Sequence, residues 1–131
     1  MNRNLIITIA GALALGLAAA AALAEEPAQV TVVATRMVST TIASTSPTGT
    51  PIVDVSLSYG VSTVGLDLSS REGAQELELR VKDAANAACK EVGRQYPGAM
   101  PSDMECARLA VKKAMVTVHR LVREASKAAA K

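Results

Sequence analysis

Residues 84–111 read AANAACKEVGRQYPGAMPSDMECARLAV, and they decide the fold. An apolar helical stretch closes at Val92-Gly93, where glycine supplies a helix stop. A loop with Pro97-Gly98 and Pro101 follows. A new helix opens at Ser102-Asp103-Met104-Glu105, a capping box with Ser102 as N-cap and Glu105 reaching back. Cys89 lies near the end of the first helix and Cys106 in the first turn of the second. Helices joined by a short loop run antiparallel, so their joined ends are neighbours. The stretch therefore predicts a helical hairpin tied by a Cys89–Cys106 disulfide.

Upstream, Ser69-Ser70-Arg71-Glu72 is a second capping box, with Ser69 as N-cap of a helix over about residues 70–92. Ala74, Leu77, Val81, Ala84, Ala85, Ala88 and Val92 form one apolar stripe at helical spacing. Glu76–Arg80 and Glu78–Lys82 are i, i+4 pairs in the favourable order. Further upstream, Ile52 to Tyr59 alternates. Val53, Val55, Leu57 and Tyr59 share one face, with Asp54, Ser56 and Ser58 on the other, which marks a half-buried strand. Val30 to Val33 has strand composition, and Ser46-Pro47-Thr48-Gly49 is a turn signal. Residues 30–59 thus predict an antiparallel hairpin turning near Pro47. A lone hairpin is marginal in water, so its apolar face should rest on the helices. Its exposed edge offers a route to oligomers.

The chain has 131 residues, enough for one domain, and neither Trp nor Phe. Its core must be aliphatic and rich in Ala, with little area per side chain. A covalent staple offsets that weakness. The first 24 residues explain why one is available. Arg3 precedes an uncharged run from Leu5 to Ala24, which closes on Ala22-Leu23-Ala24. A basic start, an apolar run and a small-residue exit describe a secretory signal peptide cleaved after Ala24. The rival is a retained membrane anchor, but the run is rich in Ala and Gly and no basic cluster follows it. Two cysteines in an exported chain read as a disulfide, and closing this loop contributes about 3 kcal/mol by restricting the unfolded chain.

Charge is unevenly spread. From Ser102 to the end there are seven basic and three acidic side chains, against six and nine over residues 25–101. On a helical wheel the second helix divides in two. Ala107, Val111, Ala114, Met115, Val118, Leu121, Val122 and Ala125 form the packing arc. Arg108, Lys112, Lys113, His119, Arg120, Arg123 and Lys127 lie opposite. Such a face solubilises a helix buried on its other side, or meets anionic lipid or an acidic partner. Arg108, Lys112, His119, Arg120 and Arg123 are accordingly the candidate anion-binding residues.

Little points to chemistry. GxSxG, P-loop and HExxH patterns are missing. The two cysteines and the single His119 give at most three metal ligands, in no zinc spacing. No catalytic, cofactor or metal residue is assigned, nor a nucleic-acid partner. Asp67 invites a catalytic reading, although an acidic residue just before a helix favours the helix dipole. Tyr96 reads as a cover over the end of the helical hairpin or as a contact residue.

The stretch Val61-Ser-Thr-Val-Gly-Leu-Asp-Leu-Ser69 resembles the signature of the UrcA family, small exported bacterial proteins. Glu72-Gly-Ala-Gln-Glu-Leu77, Arg80-Val-Lys-Asp-Ala-Ala85, the surroundings of Cys89 and of Cys106, Thr48 to Ile52 and Val55 to Ser58 resemble it too. The similarity covers roughly residues 28–118. Ser62 to Gly65 depart from the family pattern, which more often places an aromatic there. The resemblance implies an exported, disulfide-bearing domain, without an established activity. The expected organisation is a leader over residues 1–24, a Ser/Thr-rich segment with the first strand over 25–50, and a strand with two helices over 51–131. The expected fold class is α+β, a short antiparallel β-hairpin packed on a two-helix antiparallel hairpin tied by one disulfide. The expected function is a non-enzymatic periplasmic or secreted protein that either binds an anionic envelope component or a protein partner, or gives stress-related structural support to the envelope. The alternative is a small hydrolase or inhibitor-type module near the strand–helix junction at Asp67.

Overall fold

The computed structural model describes residues 27–39 and 52–131. The expected leader ending at Ala24 and the expected turn near Pro47 lie outside them. The described residues form β1 (Gln29–Ser39), β2 (Ile52–Ser62), α1 (Arg71–Gln95) and α2 (Asp103–Ala129). The two strands pair antiparallel along their full length, from Gln29 opposite Ser62 to Ser39 opposite Ile52. The sheet lies on the helical hairpin as a second layer, which is the expected α+β arrangement.

Period-two alternation decides which sheet face is packed. Val30, Val32 and Ala34 are fully buried, while Thr31 and Val33 between them are exposed. α1 runs beneath both strands, and α2 reaches β1 but not β2. Leu77, Val81, Ala85, Ala88 and Val92 of α1 meet Ala107, Ala110, Ala114 and Val118 of α2 beneath the sheet. Facing alanines let the aliphatic core close at short range. The Cys89–Cys106 bridge spans a Cα separation of 5.9 Å. Both sulfurs belong to core residues.

Four boundaries move. β2 runs on past Tyr59 to Ser62, because Val61 returns to the packed face and is buried. The N-cap of α1 is Ser70, whose Oγ accepts from Gly73 N at 3.0 Å, and not Ser69. Ser69 is drawn away by Asp67, whose Oδ1 accepts both its N–H and its hydroxyl. Gly93 does not stop α1, which runs to Gln95 with Tyr96 as its C-cap. α2 continues beyond Ser126 to Ala129. Ser102 caps α2 as expected, by accepting from Glu105 N, but the Glu105 carboxylate turns to Arg108 and does not reach back.

Candidate functional site

Three places could carry function: the solvent face of α2, the strand–helix junction, and the loop between the helices. α2 has 27 residues, so it is about 40 Å long. At 100° per residue its six cations from Arg108 to Lys127, with His119 among them, fall within an arc of roughly 140°. All seven are exposed. Within that arc Arg108, Lys112, His119 and Arg123 share one stripe. Val116, 71% exposed, sits among them as an apolar side chain in a charged field.

The cations are not equivalent. Arg108 is gripped by Glu105, with Nε to Oε2 at 2.8 Å and Nη2 to Oε1 at 2.5 Å. That pair holds the Glu105 carboxyl below its usual range, chiefly through the hydrogen bond from Arg108. Arg120 pairs with Glu124 at 3.3 Å. Lys112, Lys113, His119, Arg123 and Lys127 form no ion pair among the described residues. The free charge of the face therefore lies in its middle and towards the C-terminal end of α2.

At the strand–helix junction Asp67 is an anchor of the α1 N-terminus. Its Oδ1 accepts from Ser69, and its backbone oxygen accepts from Ser70 N at 3.1 Å and Ser70 Oγ at 2.7 Å. The bonds from Ser69, its hydroxyl foremost, hold the Asp67 pKa below the ordinary carboxylate value. The approach is so close that a Cβ on Gly73 would stand 2.0 Å from Asp67 O. One carboxylate oxygen, Oδ1, is thus engaged by local donors.

Against the loop between the helices lies a residue that sequence reasoning missed. Arg36, 5% exposed, lies on the packed face of β1. Its Nη1 donates to Cys89 O at 3.2 Å and also to Asp103 Oδ1, and its Nη2 donates to Ala99 O at 2.6 Å. Its Nε has no partner. One guanidinium therefore joins β1, the end of α1, the loop and the start of α2. The signal was present: Val30, Val32, Ala34, Arg36 and Val38 alternate, which puts an arginine where only an apolar side chain is expected. Gly93 exists for this clamp, since a Cβ there would lie 2.6 Å from Asp103 Oδ1 and 2.7 Å from Arg36 Nη1. Beside the clamp, Met37 exchanges two backbone hydrogen bonds with Met100. Met37, Ser39, Ile52, Gly98 and Met100 line a shallow apolar groove there.

Tyr96 is partly exposed at the end of α1 and donates its backbone N–H to Val92 O. No group of His, Cys, Asp and Glu among the described residues could hold a metal. No helix among them is long and apolar enough to cross a membrane. Comparison with protein-family models, with curated proteins and with solved structures returns no match.

Proposed function

We propose that this chain is an exported envelope protein of the UrcA type that acts by binding, and that the solvent face of α2 docks on an anionic surface of the envelope. The observation that carries the reading is the set Lys112, Lys113, His119, Arg123 and Lys127, exposed on one side of a long helix and unpaired among the described residues. The opposite arc of α2 is committed to the core, so the helix would lie on a charged surface and not insert into it. The leader ending at Ala24 and the buried disulfide suit an oxidising compartment outside the cytoplasm.

The test is co-sedimentation of the oxidised protein with phosphatidylglycerol vesicles, against phosphatidylcholine vesicles. Binding to the first alone, weakening steeply as salt is raised, is the expected result. Lys112→Glu combined with Lys113→Glu and Arg123→Glu should abolish it without loss of helix content. Binding that ignores salt, or survives the triple variant, overturns the proposal. Export is checked separately by the intact mass of protein recovered from its native envelope, where a chain beginning at Glu25 with two thiols inert to alkylation is expected.

A further inference from the structure

The open edge of β2 is a second surface, carried by observations independent of the cations on α2. Met37 donates to Met100 O at 2.7 Å and accepts from Met100 N at 2.9 Å. Its backbone groups therefore point away from β2, and so do those of the other odd-numbered residues of β1. By the register, Asp54, Ser56, Ser58 and Gly60 of β2 aim theirs at the opposite edge. Beyond them Ser62 O accepts from Arg80 Nη1. Met100 bridges the edge of β1, whereas no such bridge closes β2 among the described residues.

The packing beneath the two strands is unequal. Val30, Val32 and Ala34 of β1 are fully buried, but Val55, Leu57 and Tyr59 of β2 are only half-buried and Val53 is 46% exposed. The cause is that α2 passes beneath β1 alone. β2 therefore presents unpaired backbone groups beside a ledge of four apolar side chains. Protective devices are sparse. Proline and lysine do not occur from Ile52 to Ser62, and Asp54 is the sole charge.

We propose that a second copy of this chain occupies this edge, β2 against β2, antiparallel across a two-fold axis, to give a continuous four-stranded sheet. The sequence of the edge favours itself as partner. Pairing centred on Leu57 sets Asp54 opposite Gly60 and Ser56 opposite Ser58, so no like charges meet. On the packed side it sets Leu57 against its counterpart and Val55 against Tyr59, so the two ledges cover one another. Such an interface is isologous and closes at two copies.

Sedimentation of the oxidised protein over a dilution series tests this. The expected result is twice the chain mass at high concentration, falling to the single mass on dilution. Ser58→Pro removes an outward N–H that the β1–β2 ladder does not use, and should leave a monomer with unchanged circular dichroism. Amide exchange on the unmutated protein keeps the test decisive if that variant fails to fold. Exchange at Asp54, Ser56, Ser58 and Gly60 should slow as concentration rises, while Val55, Leu57 and Tyr59 stay constant. A monomer at every concentration, exchange independent of concentration, or a dimer that persists in folded Ser58→Pro overturns the proposal.

Discussion

Arg36 and Gly93 form one device. The guanidinium is buried, but Asp103 is 53% exposed, so the two partners differ in what their loss exposes. Arg36→Ala takes the guanidinium donor from Cys89 O and Ala99 O and opens space beneath β1, and should cost about 1–3 kcal/mol in urea unfolding. Gly93→Ala sets two effects against each other. Alanine in a helix interior gains roughly 0.5–1 kcal/mol over glycine. The added Cβ collides with both members of the pair, and that loss is larger, so the variant should be less stable. A Gly93→Ala protein more stable than the parent would show that the clamp contributes little. Glu91 carries the clearest pH signature. Hydrogen bonds from Arg94 first and Gln95 second lower its pKa from 4.5 to about 2. A lowered folded-state value means stability that is whole above pH 4.5 and drains away as pH falls towards about 2. Glu91→Gln should flatten the acid limb of a stability–pH curve over that window.

Among the elements, the helical hairpin depends most on its covalent tie. The bridge joins positions 17 apart in sequence, and the chain-entropy account assigns about 3 kcal/mol to such a loop. Replacing Cys89 and Cys106 by alanine together should lower Tm by roughly 10–25 °C in a domain of about this size, read by calorimetry. An unchanged Tm would mean the aliphatic core suffices alone. The tie was legible in sequence because everything that fixes it is local: a helix end, a short loop, a capping serine at Ser102. The stripe from Leu77 to Val92 was legible for the same reason. The role of Gly93 and the partners of Arg36 were not. A glycine after an apolar stripe reads as a stop unless a distant ion pair requires its missing Cβ. An arginine among β-branched residues gives no hint of partners 53 to 67 residues away. The basic face was legible as a pattern, but not its division into paired Arg108 and Arg120 and unpaired Lys112, Lys113 and Arg123.

At the scale of the whole molecule the two strands have unequal roles. β1 sits over the seam between the helices and supplies the fully buried side chains, while β2 shields it from one side. Half of the packing under β1 comes late in the chain: Ala99 and Asp103 from the loop and the start of α2, then Ala107 to Val118 along it. That order governs how the polypeptide behaves while it is made. Synthesis delivers β1 soon before its ladder partner β2 but well before α2, and the Arg36 charge has no carboxylate partner until Asp103 has emerged. A nascent chain short of α2 cannot close its core, however long it waits. A chain released before α2 reaches Val118 therefore lacks one whole side of its core.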